Sequence, residues 1–91
     1  LINFFNAEKN PEWEELAAVS MAVQNMWLMA TALNIGGYWS SPSNVIANVD
    51  EFTPMQEGEK CVGVFYMGKY DGELTEGVRQ STDDKVKFLD Y

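Results

Sequence analysis

The sequence predicts a small α+β domain in which one long helix packs on a β-sheet. Two apolar runs, residues 1–5 (LINFF) and 61–68 (CVGVFYMG), lack a clean polar alternation, as is typical of strands covered on both faces. A long uncharged segment with helical spacing lies between them. The chain has 91 residues, 46% of them hydrophobic, so we predict that residues 1–91 form a single domain.

The first predicted strand opens the chain. Leu1 stands where many chains begin with methionine, and residues 1–5 already have the composition of a strand interior. We therefore expect this polypeptide to begin within a longer gene product. We also expect its strand to lie beside the strand of residues 61–68 in one sheet.

The helix has a strong start signal. Asn10 is a good N-cap, Pro11 suits the first helical position, and Glu12, Glu14 and Glu15 interact favourably with the positive end of the helix dipole. An apolar stripe follows at spacings of three and four, made of Leu16, Val19, Val23, Met26, Ala30 and Leu33. Either Asn34 or Gly36 is expected to end the helix in the left-handed conformation.

This helix requires cover that a chain of this size hardly supplies. No charged residue occurs from Leu16 to Val49, and further apolar side chains, at Met21, Trp27, Leu28 and Ala32, lie off the main stripe. A helix that is apolar nearly all round is buried on most sides. The missing cover is expected from an absent part of the chain, from a second subunit, or from both.

A membrane span is the alternative for the uncharged segment, because LAAVSMAVQNMWLMATALNI is long enough to cross a bilayer. Polar residues interrupt it, and its flanks are acidic, whereas cytoplasmic flanks of membrane helices favour Lys and Arg. We therefore predict no membrane partner.

The remaining elements are shorter. Residues 35–39 favour a short extended segment, and residues 45–55 favour a short helical region whose length Pro54 limits. Beyond Gly68 the composition predicts a solvated, extended tail. Four apolar residues near its end are expected to dock onto another surface: Val86, Phe88, Leu89 and Tyr91.

Composition excludes several functions. The chain contains no histidine, which removes Ser-His-Asp and Cys-His catalysis and histidine-ligated zinc, and we predict neither a catalytic side chain nor a metal site. Its net charge of −8 disfavours nucleic acid as a partner. The single cysteine, Cys61, cannot form an internal disulfide, so it indicates a buried structural role and a reducing, cytoplasmic location.

The order of these motifs resembles one known family. A strand is followed by PEWEE at a helix start, by AAVSMAVQNMWLMATALNIGGYWSS, and by EGEKCVGVFYMGK with a tail that contains an arginine. This arrangement resembles the C-terminal half of the nitroreductase family. The central helix and following loop carry the most specific matches: Ala22, Val23, Gln24, Asn25, Leu28, Ala30, Leu33, Gly36, Gly37 and Trp39.

The resemblance implies a nitroreductase-like fold, here as a partial chain, with the long helix on a mixed sheet. It also implies an FMN-dependent oxidoreductase that forms an intertwined homodimer with flavin at the subunit interface. In that family NAD(P)H delivers hydride to flavin N5 and leaves, and a nitro or other electrophilic small molecule then takes its place. The family's arginine-rich N-terminal flavin motif does not occur in these residues, so the resemblance implies that the FMN site is completed elsewhere.

The resemblance also points to candidate FMN-binding residues. Gly37 permits close approach of the backbone to a flat ring, and Tyr38, Trp39, Ser40 and Ser41 offer aromatic surface and hydroxyls. Around the family's strand end, basic residues approach the flavin phosphate, and Gly68, Lys69 and Arg79 occupy that region here. A loop that merely caps the helix, with Trp39 in the core, is the structural alternative.

The sequence also allows two functions that are not enzymatic. A non-catalytic flavin-binding or storage protein on the same fold would retain the candidate residues and bind FMN without rapid NAD(P)H oxidation. A small dimerisation module without a cofactor would be colourless and would gain no thermal stability from FMN.

Overall fold

The computed structural model describes residues 1–5 and 8–90. Within them, β1 is Ile2–Phe5, α1 is Glu12–Ala32 and β2 is Gly36–Ser40. A short helix α2, Ser43–Ala47, is followed by a 3₁₀ turn at Val49–Glu51 and by the long strand β3, Glu59–Gly68. The predicted strands, the central helix, the extended segment after it and the short helical region are all confirmed, although α2 begins two residues earlier than expected.

The three strands form one antiparallel sheet with the order β1-β3-β2. The predicted neighbouring of the first and last strands is confirmed, because β1 pairs directly with β3. The expectation of a mixed sheet is wrong for the described residues. Because β3 lies in the middle and runs opposite to both neighbours, the described strands contain no parallel pair.

The start of α1 differs by one residue from the prediction. Pro11, not Asn10, flanks the first helical residue, with φ −56° and ψ 140°, and no side chain caps the helix. The Asn10 amide instead donates to the Glu15 carboxylate at 3.0 Å. In this bond the amide nitrogen is the donor and the charged carboxylate is the acceptor, whereas an N-cap side chain accepts from a backbone N–H through its oxygen. The acidic first turn of Glu12, Glu14 and Glu15 is as expected.

The end of α1 is a Schellman motif centred on Asn34. Asn34 has φ +58°, the left-handed conformation that asparagine tolerates better than most residues. Its N–H donates to the Thr31 carbonyl at 3.0 Å, and the Ile35 N–H donates to the Ala30 carbonyl at 2.8 Å. Of the two predicted terminators, Asn34 is therefore the correct one. The motif turns the chain directly into β2.

One face of the sheet packs against α1. Val23 and Ala30 are buried on the helix, and Ile2 and Phe4 are buried on β1. The Trp27 indole meets the Phe65 ring edge-on, with centroids 5.3 Å apart. Trp27 therefore belongs to the packed side of α1, although the sequence placed it off the main stripe. This contact fixes which side chains of β3 face the helix, since residues alternate along a strand.

The opposite face of the sheet and the outer face of α1 are open in the described chain. The solvent-accessible surface is 7905 Å², whereas a compact monomer of this mass exposes about 5,400 Å². The radius of gyration is 16.9 Å, against about 12 Å for a compact domain of this length. The exposed tail of residues 69–90 contributes to both values. Tyr38 and Tyr66 on the sheet are 56% and 43% exposed, so the expected cover on both faces of the strands is missing in the described chain, and Met21 and Leu28 on α1 are 65% and 59% exposed.

Residues 69–90 form no helix or strand, as predicted for the tail. Val86, Phe88 and Leu89 are exposed, so the expected docking of the terminal apolar residues is not made within the described chain. Tyr91, also in that prediction, lies outside the described residues. None of the helices in residues 1–5 and 8–90 has the length and hydropathy needed to cross a membrane.

Candidate functional site

The pairing of β2 with β3 builds the centre of the candidate site. Gly36 pairs with Gly68, Gly37 with Met67, and Tyr38 with Tyr66. Because Phe65 faces α1, the alternation along the strands places Tyr38 and Tyr66 on the open face. Their rings stack with centroids 5.2 Å apart. The open face therefore carries a wall of two aromatic rings. Beside it lies the end of the strand pair where Gly36 and Gly68 have no side chains.

A cavity of about 370 Å³ lies at this end of the sheet. Four predicted site residues line it together: Gly37, Tyr38, Gly68 and Lys69. The walls combine glycine backbone and tyrosine rings with a single ammonium group, that of Lys69. Such a lining suits a flat aromatic ligand that carries a negative charge.

The glycine at position 37 is required by packing. A Cβ at this position would lie 2.8 Å from two carbon atoms of the Phe65 ring. That ring is held from the other side by Trp27, so it has little freedom to withdraw. The close approach predicted for Gly37 is thus present, and here it is made to a core aromatic ring behind the cavity.

Trp39 and Ser41 lie at the other end of β2 and share one acceptor. The Trp39 Nε1–H donates to the Val62 carbonyl at 3.3 Å, and the Ser41 hydroxyl donates to the same oxygen at 3.2 Å. Ser40 pairs with Val64 and lies on the same face of the strand as Tyr38. Of the predicted cluster at residues 37–41, only Gly37 and Tyr38 line the cavity.

Arg79 lies in a different place from Lys69. It lines a separate cavity of about 310 Å³ along the side of α1, between the packed and the outer face, together with Gln24, Trp27, Leu28 and Thr31. The structure thus does not bring the two predicted phosphate-binding residues into one cavity. Lys69 directly follows β3, whereas Arg79 belongs to the irregular tail.

Sequence reasoning missed several residues of the cavity. The other lining residues are Gly36, Tyr66, Met67, Tyr70 and Leu74. Tyr66 and Met67 were visible only as part of the apolar run of β3. The register that sets them opposite Tyr38 and Gly37 was the missing information. The sequence has no signal for this register, because the pairing of Gly36 with Gly68 is visible only in the structure.

A second polar cluster lies where β1 meets β3. The Glu59 carboxylate accepts hydrogen bonds from the Gln56 backbone N–H at 3.0 Å and from the Asn3 amide at 3.0 Å. These two donors, Gln56 first, hold the pKa of Glu59 below its ordinary value. A charged carboxylate stabilised in this way is a poor proton donor or acceptor near neutral pH. The cluster is therefore structural.

The described residues contain no group of three or more cysteine, aspartate or glutamate side chains placed to hold a metal ion. Cys61 is half-buried, and its thiol contacts the Gly63 carbonyl oxygen at 3.6 Å.

Comparison with known proteins gives a match over the residues that form the sheet, α1 and most of the cavity. No curated protein and no solved structure matches the chain. A family model described as "Nitroreductase family" matches residues 2–69. The match runs from β1 to Lys69 and includes the whole sheet and α1, whereas Arg79 lies beyond it. Since the match covers well over half of the sequence, the chain belongs to the nitroreductase family.

Proposed function

We propose that this chain forms the flavin-contacting, C-terminal half of an FMN-dependent NAD(P)H oxidoreductase that reduces a nitro or other electrophilic small molecule. The cavity at the end of the β2–β3 pair is the observation that carries this proposal. It joins Gly37, Tyr38, Gly68 and Lys69 within the residues that match the family. The cytoplasmic location predicted from the cysteine content stays a prediction.

The residues of the cavity fit a flavin mononucleotide in chemical terms. The Lys69 ammonium is the only cationic group in the lining, and a phosphate is best held by such a group. Gly36 and Gly68 leave the strand ends without side chains. A Cβ at Gly68 would meet nothing within 4 Å, so the backbone at Gly68 is open to a ring, whereas at Gly36 the Tyr70 ring lies 2.9 Å from the position of a Cβ. The stacked Tyr38 and Tyr66 rings supply an apolar wall.

Each of these groups has a binding or orienting task. Lys69 would hold the phosphate, the glycine backbone would approach the isoalloxazine edge, and Tyr38 would limit its position on the open face. Bound FMN supplies the redox chemistry, which is hydride uptake at N5 from NAD(P)H and its transfer to the acceptor. No nucleophile or histidine is needed for this chemistry. The flavin contacts predicted for Trp39, Ser40, Ser41 and Arg79 stay predictions.

The open apolar surfaces support a homodimer. A standard interface buries roughly 800 Å² per partner, and α1 carries several large apolar side chains that are exposed in the described chain. Met21 and Leu28 lie on the outer face of α1, away from the sheet. We propose that a second copy covers this face and brings its own residues to the edge of the flavin site.

Light scattering on the full-length gene product tests the dimer. The wild-type protein should have twice the mass of its chain, and Leu28→Lys should shift it towards the monomer, because a buried unpaired ammonium is costly. Asn44→Lys, on the exposed surface of α2, adds the same charge and should leave the dimer intact. A wild-type monomer at micromolar concentration would refute the dimer.

Titration of the full-length protein with FMN and with riboflavin tests the flavin site. Wild-type protein should bind FMN more tightly than riboflavin, because riboflavin lacks the phosphate. Lys69→Gln should weaken FMN binding by about tenfold, consistent with the loss of one charge-assisted hydrogen bond, and should leave riboflavin binding unchanged. Lys87→Gln, in the exposed tail, is the matched control. Equal effects of Lys69→Gln on both ligands would place the phosphate elsewhere.

NADH and NADPH oxidation separates the remaining functions. An enzyme oxidises one of them with FMN bound and an acceptor such as a nitroaromatic compound present. A flavin storage protein binds FMN without this turnover. A cofactor-free dimerisation module binds neither FMN nor riboflavin.

A further inference from the structure

The carbonyl group of Val62 has a special position in β3. Ile2 pairs with Gly63, but the next residue of β1, Asn3, pairs with Cys61. Val62 is therefore the extra residue of a β-bulge, which interrupts the ladder of hydrogen bonds. On the other side of β3, the register of β2 continued by two residues would bring Pro42 opposite Val62, and proline has no N–H to donate. A carbonyl without a backbone partner requires another donor if it is not exposed to water.

Two side chains from the β2 end supply that donor. Trp39 Nε1 lies 3.3 Å and Ser41 Oγ 3.2 Å from the Val62 oxygen. The regular pairing of β2 ends at Ser40, opposite Val64, so these bonds extend the connection between β2 and β3 beyond the last backbone pair. Gly63 makes this possible, because a Cβ there would overlap the Trp39 Nε1 atom.

The bonds of Trp39 and Ser41 to Val62 affect the cavity because they help to fix the register of β2 on β3. The same two strands place Gly37 opposite Met67 and Tyr38 opposite Tyr66. If β2 slipped by one residue, Tyr38 would move to the helix-facing side and Trp39 to the open face. The bonds to Val62 oppose such a slip, because they depend on Trp39 facing α1.

We propose that Trp39 and Ser41 are positioning residues, which fix β2 in register on β3 through the shared Val62 carbonyl and so place Gly37, Tyr38 and Lys69 around the cavity. Neither side chain is among the described residues that line the cavity. This inference rests on the proposed function for the identity of the ligand, but the strand register that it concerns is measurable without any ligand.

Amide hydrogen exchange on the full-length protein tests the inference directly. The variants are Trp39→Phe, which removes the indole N–H, Ser41→Ala, which removes the hydroxyl, and the double variant. Since each donor alone satisfies the carbonyl, each single variant should raise exchange at residues 37–40 by only about twofold. The double variant should raise it by about tenfold or more, which exceeds the product of the single effects. Exchange in α1 should stay unchanged, and Ser43→Ala is the control.

Rescue and ligand binding complete the test. Ser41→Thr keeps a hydroxyl. Combined with Trp39→Phe, it should therefore exchange no faster than the Trp39→Phe single variant. The dissociation constant for FMN should rise in the same order as exchange. Additive effects, or a double variant that exchanges as slowly as wild type, would overturn the inference. Wild-type protein that does not bind FMN would refute the proposed function instead, and the exchange data would still decide the role of Trp39 and Ser41.

Discussion

The ring of Tyr38 stacks on the ring of Tyr66 across the β2–β3 pair, with the two planes inclined by 26°. The residues are directly opposite in the register, so the stack reports on correct strand pairing. Both rings are also partly exposed, at 56% and 43%. They are therefore available to form a wall for a ligand while they hold the two strands together.

Replacement of Tyr38 by alanine should destabilise the protein by about 1 kcal/mol, the usual value of an aromatic cross-strand pair. Tyr38→Phe keeps the ring, so its loss of stability should be less than half of the loss expected for Tyr38→Ala. Urea unfolding of the two variants measures the difference. If both variants lose the same free energy, the hydroxyl matters and the stack does not.

Gly63→Ala should be more costly, with a loss of about 1–3 kcal/mol from overpacking. The added methyl group would meet the Trp39 indole and would lie 2.8 Å from the Ser40 carbonyl oxygen, which is backbone and cannot easily withdraw. Gly68→Ala is the matched control, since a Cβ there meets no atom within 4 Å. Denaturant unfolding of the two variants should give clearly different midpoints, and equal midpoints would contradict the packing described for Gly63.

The pKa of Glu59 gives a prediction for acid solution. It lies below the ordinary 4.5 because the Gln56 N–H and the Asn3 amide donate to the carboxylate. A lowered folded-state pKa stabilises the protein above the ordinary value, and this stabilisation is lost as pH falls through the folded-state pKa. Glu59→Gln should therefore lower the melting temperature at pH 7, and the gap to wild type should narrow below about pH 4.5.

Glu57→Gln is the control for this experiment, because Glu57 is an exposed residue just before β3. Its melting temperature should follow that of wild type at every pH. A gap for Glu59→Gln that stays constant from neutral to acid pH would show that its charge is not what the two donors stabilise.

The ion pair between Lys60 and Glu12 should contribute little. The Lys60 Nζ–Glu12 Oε1 distance is 2.7 Å, but the side chains are 56% and 51% exposed. Exposed ion pairs typically contribute about 0.5 kcal/mol to the free energy of unfolding, and salt screens them. Lys60→Gln should thus cost about 0.5 kcal/mol at low ionic strength and nearly nothing in 1 M salt. A large loss that persists in salt would assign Lys60 a packing role on α1.

The elements were predictable because their signals are local. The acidic start of α1, the left-handed Asn34 and the apolar runs of β1 and β3 each act within a few residues. The start of α1 differs by one position, because Pro11 and not Asn10 flanks its first residue, and a local capping signal does not resolve a shift of this size.

The candidate site was less predictable because it depends on strand register. Strand alternation sends Tyr38 to the open face and Trp39 to the helix face, so neighbouring residues of one motif have different surroundings. The register shift at Val62 and the carbonyl that Trp39 and Ser41 share have no signature in the sequence. The mixed sheet expected from the resemblance was wrong for the described strands for the same reason, since strand direction is a tertiary property.

The visible spectrum of the purified full-length protein decides whether this chain contributes a flavin site. We expect a yellow protein, or a colourless one that becomes yellow with FMN after desalting and whose melting temperature rises. Lys69→Gln should retain less FMN than Lys87→Gln. A protein that stays colourless after incubation with saturating FMN, with an unchanged melting temperature, has no such site.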